Sequence, residues 1–301
     1  MPNRISYNKP YKLAKDLVQL LQTRGLIINN LNKAENYIRH IGYYRLSAYM
    51  FPHLKTPKHR HLFKDRTSFQ SILNLYKFDK KLRLLIFNEI EKIEIAVRSS
   101  IVNNACEIFK DPYWITDSNY FIYPDKFAKT ISLIDKELEH SKEDFIIHFK
   151  TKYSNQYPPA WILAEILPLG VLTSIYYNIK EISIKKKIAK EFGLQVKPFE
   201  SWMTIVTLTR NACCHHSRVW NKQNTMLAME PIHITRPWIT LPTDRLRIYF
   251  NLCIIKWFLD CISPNNTLKN KICKLLADYP CIDISAMGFP ADWLKEELWK
   301  G

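Results

Sequence analysis

An all-α fold is predicted by three features of this 301-residue sequence. Apolar residues recur at three- and four-residue steps along most of it. It holds only 6 glycines, few for a β-rich or dinucleotide-binding chain, and no Gly-rich phosphate loop. Several periodic segments close at a glycine or open at a proline. With 47% hydrophobic and 13% aromatic residues, the chain can bury a sizeable core. Its length suits one large or two modest domains.

Taken in order, Tyr11–Arg24 reads as an amphipathic helix with Leu13, Leu17, Leu20 and Leu21 on one face, stopped at Gly25. Lys33–Ile41 is a second, ending at Gly42. The aromatic run Tyr43–Pro52 surrounds Arg45, and two readings fit it: a packing module of half-buried tyrosines, or base stacking beside a phosphate contact. Packing is favoured, because tyrosines at i, i+1 and i+6 do not make one exposed stripe. Leu54–Ser68 is a basic loop whose Lys55, Lys58, Arg60, Lys64 and Arg66 could track a phosphate backbone. Phe69–Phe109 holds the longest helical period, with Glu94 and Arg98 spaced to meet on one face. After a proline-bounded aromatic loop, Lys126–Lys150 reads as one helix. Ala160–Asn178 is another, interrupted or kinked at Pro168 and Gly170. Ile184–Phe192 closes at Gly193, and a helix begins near Pro198. Pro231–Pro242 is irregular, with room for a brief extended piece at Trp238–Thr240. Helices over Asp244–Cys261 and Leu268–Ala277 complete the pattern.

The net charge is +16, from 44 Lys and Arg against 28 Asp and Glu, which favours a polyanionic partner. The 7 cysteines are odd in number and lack paired C-x-x-C spacing, which fits small hydrophobes in a reducing compartment better than a disulfide framework. Met1–Pro10 lacks the apolar core of a signal peptide, and no apolar run is long enough to span a bilayer. The expectation is a soluble, cytoplasmic protein with no membrane partner.

Chemistry concentrates in Arg210-Asn211-Ala212-Cys213-Cys214-His215-His216-Ser217-Arg218-Val219-Trp220-Asn221. With no glycine or proline, the stretch reads as the far end of the helix beginning near Pro198. At about 100° per residue, Ala212, His216, Val219 and Trp220 share an apolar side, which makes His216 a core or supporting histidine. Asn211, His215 and Arg218 share a polar stripe. Asn211, one turn before His215, could hold its imidazole by a hydrogen bond. Arg210 lies roughly 140° around the helix from His215, so their convergence requires a bent arginine, a distorted helix or a second protomer. Histidine can take or give a proton near neutral pH, and arginine can stabilise a phosphorane-like transition state. RNA supplies its own nucleophile, the 2′-hydroxyl, so neither metal nor other cofactor is expected. Four contiguous residues on a helix cannot wrap one tetrahedral zinc.

Arg210-Asn211-(three residues)-His215 resembles the R-x4-6-H motif of HEPN ribonucleases. Arg210–Asn221 is similar to the Abi-type abortive-infection family (the AbiD/AbiF group), as are Arg24-Gly25-Leu26, Ile41–Ser47, Tyr76–Arg83, Ile93–Arg98 and Gly288-Phe289-Pro290. Together these cover nearly the whole chain. The resemblance implies a HEPN-like helical bundle over residues 67–301, carrying a small N-terminal helical module at 1–66, and a homodimer that brings two motif helices into one cleft. It further implies metal-independent RNA cleavage leaving a 2′,3′-cyclic phosphate. The implied setting is phage defence or toxin–antitoxin-like growth arrest, with a small noncoding RNA as a possible regulator. Arg210 and His215 carry over as catalytic and Asn211 as their polar helper, with His216, Arg218, Glu94 and Arg98 in support. Cys214 stands where a smaller residue is expected. Two other functions fit the same sequence: a non-catalytic protein that holds a small RNA, and a helical dimeric interaction protein.

Overall fold

The computed structural model describes residues 6–300; of the polar segment Met1–Pro10, the first five residues lie outside the described residues. The described residues form α-helices joined by loops and short 3-10 turns, with isolated β-bridges and no strand, so the all-α expectation holds. They divide into two compact units, Met1–Leu82 with Leu275–Ile282, and Arg83–Lys274 with Asp283–Gly301. The line drawn from the sequence at residue 66 falls where the basic loop ends. The units part after Leu82, inside a helix.

In the first unit, α1 (Ala14–Thr23) ends on Gly25, whose φ of +88° suits a residue without a Cβ. There Gly25 N–H donates to Gln22 O at 2.9 Å and Leu26 N–H to Leu21 O at 3.0 Å, the paired bonds of a Schellman stop. α2 (Leu31–Ile41) starts where the Asn30 side chain accepts from Lys33 N–H at 2.8 Å. The aromatic run becomes α3 (Tyr43–Met50), with Leu46, Tyr49 and Met50 buried. Tyr49 Oη donates to Asp79 Oδ2 at 2.6 Å, and its ring meets Tyr76 edge-on at 5.4 Å. Packing therefore accounts for Tyr49, while Tyr44 is exposed. α4 (Phe69–Phe109) runs unbroken as its periodicity predicts, its first turns in this unit and the remainder in the second.

In the second unit the expected single helix over Lys126–Lys150 is two, α5 (Pro124–His140) and α6 (Asp144–Lys152). Ser141 and Glu143 between them are extended, and Ser141 Oγ accepts locally from Glu143 N–H at 3.4 Å. A serine that bonds nearby backbone competes with the helical ladder. α7 (Ala160–Ile166) and α8 (Leu169–Asn178) part at Pro168, as the missing N–H requires. α9 (Ile182–Glu191) repeats the α1 stop, with Gly193 at φ +65° and Leu194 N–H on Ala189 O at 2.9 Å.

α10 (Val196–Cys214) packs on α8, α9 and α11 (Ile248–Ile262). α11 is buried on every side from Ile248 to Leu259, the mark of a central helix. Trp202 of α10 stacks on Trp238 at 4.8 Å and meets Trp257 of α11 edge-on at 5.7 Å, so aromatic packing fixes α10 against the core. The extended piece considered at Trp238–Thr240 forms no strand. Instead, the N–H groups of Thr240 and Leu241 donate to the buried carboxylate of Glu296 at 2.7 and 2.6 Å. α12 (Leu268–Asp278) and α13 (Glu297–Lys300) complete the chain.

One glycine matters beyond its turn. Gly288 has φ +87°, and a Cβ there would lie 2.6 Å from Arg247 Cβ. Arg247 in turn donates from Nη1 to Asn221 Oδ1 at 2.9 Å, at the end of the motif stretch. Gly288→Ala combines left-handed strain with a clash, and should lower unfolding free energy by about 1–3 kcal/mol. Urea denaturation followed by circular dichroism checks this; an unchanged midpoint would show that Arg247 yields freely.

Candidate functional site

The helix α10 stops at Cys214, seven residues short of the helix expected through Asn221. His215 is its C-cap, with φ −83° and ψ 12°. His216 follows at φ +54°. His216 N–H donates to Cys213 O at 3.1 Å and Ser217 N–H to Ala212 O at 2.9 Å, the same paired bonds that end α1 and α9. Those helices place glycine at the left-handed position; this one places a histidine there, at a cost of about 1 kcal/mol. The shared apolar side drawn for Ala212, His216, Val219 and Trp220 therefore does not exist as a helical face. Val219 and Trp220 are buried, but the loop carries them in, and Trp220 Nε1 donates to Asp283 O at 3.2 Å. His216 is exposed, which corrects its placement in the core.

Arg210 faces α4. Its Nε lies 3.6 Å from Glu94 Oε2, and its guanidinium carbon sits 5.9 Å from the centre of the Phe87 ring. The other oxygen of the same carboxylate, Glu94 Oε1, accepts from Arg98 Nη2 at 3.1 Å. Glu94 and Arg98 side chains are each 14% exposed, and Arg210 is 29% exposed. Arg98 also donates to Glu165 O at 3.1 Å, Glu165 Oε2 at 3.3 Å and Leu167 O at 3.2 Å, satisfying carbonyls at the end of α7. Sequence spacing pointed to the Glu94–Arg98 pair and nothing pointed to Glu165 or Phe87.

The two arginines differ in saturation. Arg98 makes four hydrogen bonds through its terminal nitrogens. Arg210 makes one, from Nη1 to Asn211 Oδ1 at the outer distance of 3.5 Å, and its buried Nε has no hydrogen-bond partner. A guanidinium offers five donors in a planar fork. Arg210 is thus held by charge and by an aromatic face, with donors left for an anion.

Asn211 does not hold the His215 ring as expected: its side-chain oxygen accepts from Arg210, and no hydrogen bond joins it to the imidazole among the described residues. His215 keeps its backbone bond to Asn211 O at 2.9 Å and exposes its side chain at the helix end. No hydrogen bond or ring contact joins Arg210 and His215 among the described residues. Arg218 turns back on its own loop, donating from Nη2 to Asn221 O at 3.4 Å, and Asn221 is tied to Arg247. Asn221, at φ +47°, is a second left-handed residue within six positions. Cys213 is buried and Cys214 half-buried. Among the described residues no group of His, Cys, Asp and Glu side chains could hold a metal ion. Elsewhere burial raises thiols, that of Cys261 to about 11, as small core residues require.

The basic candidates lie in the first unit. The loop that carries them is built around buried Leu54 and Phe63, with Lys55 N–H on Leu62 O and Lys64 N–H on His53 O, each at 2.8 Å. Arg45, Arg60, Lys64 and Arg66 are exposed, and Arg66 has φ +60°. Lys55 pairs with Asp65 at 2.6 Å, and Lys58 lies over the Phe51 ring at 4.2 Å. The positive field shows in two histidines: His53 is pulled below the ordinary imidazole value by burial and Lys64, His61 by burial and Arg24. The first unit holds 16 Lys and Arg against 5 Asp and Glu, so most of the chain's excess charge sits in its smaller part. No helix among the described residues is long and apolar enough to cross a membrane.

The model of one family, described as Abi-like protein, matches residues 36–221, more than half of the chain. The chain belongs to that family. The match begins in α2, includes Glu94, Arg98 and Arg210, and ends on Asn221, where the loop after α10 closes on Arg247. Membership of the Abi-like family associates the chain with abortive-infection phage defence. Searches of curated proteins and of solved structures gave no match.

Because His216 occupies the left-handed position, its replacements separate side chain from backbone. His216→Gly and His216→Ala both remove the imidazole, but only alanine keeps a Cβ there. The glycine variant should be the more stable of the two by about 1 kcal/mol. Parallel chemical denaturation measures the difference, and equal stabilities would mean the turn relaxes around alanine.

Proposed function

We propose that this Abi-like protein is a metal-independent endoribonuclease of a cytoplasmic abortive-infection or toxin-like system, with Arg210 and His215 as its catalytic pair. The observation that carries this reading is Arg210 itself. A guanidinium anchored by Glu94, with most of its donors unused, stands five residues before an exposed histidine at the end of the same helix. An arginine so held is preorganised for a phosphate whose negative charge grows in the transition state. The histidine takes the proton from the 2′-hydroxyl or gives one to the departing 5′-oxygen. The attacking oxygen comes from RNA, so the products carry 2′,3′-cyclic phosphate and 5′-hydroxyl ends. Arg210 turns to α4 while His215 leaves the helix end, which favours a homodimer in which the two come from different protomers. Asn211 polarises Arg210 rather than holding His215 in this reading. Arg98 and Glu94 position Arg210; Arg218 and His216 shape the loop.

A second reading, an RNA-holding protein without catalysis, is favoured by the charge of the first unit. The two readings separate in one experiment. The full-length protein is incubated with total RNA in EDTA and the new ends are mapped, beside Arg210→Ala and His215→Ala. Each substitution should reduce cleavage by about 10²-fold or more, with unchanged circular dichroism. Cleavage that survives both, or a parent that binds RNA and leaves it intact, would overturn the enzyme reading.

The basic loop is assigned to RNA backbone contact, small noncoding RNA included. Arg60→Ala, Lys64→Ala and Arg66→Ala together should weaken binding of unrelated RNAs alike. They should also flatten the dependence of log K on log salt by about 2, at roughly 0.7 for each single-strand phosphate that the variant no longer neutralises. Fluorescence anisotropy across a salt series reads the slope; an unchanged slope removes the loop from the interface.

A further inference from the structure

A cavity of about 130 Å³ lies against α10, lined by Leu208, Thr209, Ala212, Lys222, Gln223, Asn224 and Asn251 among others. Its wall on the α10 side is the turn that carries Arg210, and its opposite wall is the loop that follows His215 and Ser217. The floor is polar for a reason that packing does not supply. Asn251, 2% exposed on the otherwise apolar central helix, donates from Nδ2 to Thr209 Oγ1 at 2.8 Å. Its Oδ1 accepts from Asn224 Nδ2 at 2.8 Å. The return contact, Asn251 Nδ2 to Asn224 Oδ1, is stretched to 3.5 Å. Asn224 thus keeps one N–H and most of its carbonyl capacity, side by side, at a partly buried position. The backbone fixes it, since Asn224 N–H donates to Leu246 O at 2.7 Å.

An apolar slot with an amide at its base suits a flat ring bearing adjacent donor and acceptor atoms. Size then selects among such rings. A cavity of about 150 Å³ holds a benzene, so this one takes a single six-membered ring and not a fused pair. We infer that the cavity binds one unstacked pyrimidine base of single-stranded RNA, read by the Asn224 amide with Asn251 holding it in place. Leu208 and Ala212 face the ring, and exposed Lys222 and Gln223 stand at the rim beside the base's sugar-phosphate. Single-stranded RNA offers splayed bases to such pockets, and an amide meets a base edge with two parallel hydrogen bonds. The site so assigned deepens the ribonuclease reading, because a base held here lies next to the turn bearing Arg210 and His215, and cleavage would follow pyrimidines.

The test measures binding, so it does not depend on catalysis. Full-length His215→Ala protein is titrated with fluorescein-labelled hexamers of uridine, cytidine and adenosine. A pyrimidine hexamer should bind about tenfold more tightly than the adenosine hexamer, near the low end of what one bidentate base contact discriminates. Asn224→Leu should reduce that ratio to about twofold or less. Equal binding of all three hexamers, or a preference that Asn224→Leu leaves intact, overturns the pocket. Photocrosslinking of a 4-thiouridine hexamer to the unsubstituted protein needs no variant to fold. Crosslinks within 205–212 or 222–225 support the assignment, and crosslinks confined to 54–66 overturn it. If RNA is never cleaved yet the preference holds, the base site stands and the enzyme reading fails.

Discussion

The carboxylate of Glu94 faces two guanidinium groups at once, and the candidate site depends on that sharing. Half of its hydrogen-bonding capacity goes to Arg98, which ties α4 to the end of α7. The other oxygen holds Arg210 of α10 at 3.6 Å. A surface pair at such spacing contributes about 0–1 kcal/mol. Here all three groups are largely withdrawn from water, so each one's desolvation is offset only while its partners are present. Glu94 therefore sets where Arg210 points, and Arg98 sets where Glu94 points. α8, which starts just past the carbonyls that Arg98 caps, packs on α10 and closes the circuit.

The end of α10 is fixed by a different constraint. Three helices of this chain end in the same pair of backbone bonds, and two of them announce it with Gly25 or Gly193. The third uses His216, and so the sequence showed no stop. Neither cysteine nor histidine is a strong helix former, but weak propensity does not locate an end. What decides it is the loop's tertiary fastening: Trp220 goes into the core, and Asn221 is held by Arg247, whose own position requires the absence of a side chain at Gly288. These fastenings join segments well separated along the chain, invisible to a local pattern. Regular helices were readable because their stripes are local; Phe69–Phe109 has the bounds its periodicity predicts. The break at Ser141 was not readable, since neither glycine nor proline marks it.

Charge carried a similar lesson about averaging. The excess of +16 belongs to the whole sequence, yet most of it resides in the first unit. That unit is completed by Leu275–Ile282, a return no linker or change of composition foretold. α4 supplies turns to both units without a bend in its sequence pattern, so a boundary within it leaves no signal of the kind that glycine, proline or low complexity provides.

Within the motif, sequence spacing found the residues and misjudged their relations. Asn211 was matched to His215 by a one-turn offset, but the side chain of Arg210, one residue away, reaches its oxygen first. The more telling difference lies between two arginines that look alike on paper. Arg98 directs its donors to Glu94, Glu165 and Leu167, which makes it a structural fastener. Arg210 is bound by the same carboxylate but at a distance and through one nitrogen, with its terminal groups nearly unused. Burying a guanidinium with donors unsatisfied is unfavourable in the folded protein alone. An anion that completed those bonds would remove that penalty, so the arrangement favours a bound phosphate over the empty site. The same physical test, unused hydrogen-bonding capacity at a fixed and partly buried position, singles out Asn224 beside it. Two neighbouring sites with that property, one cationic and one amide, match the phosphate and the base of a single nucleotide.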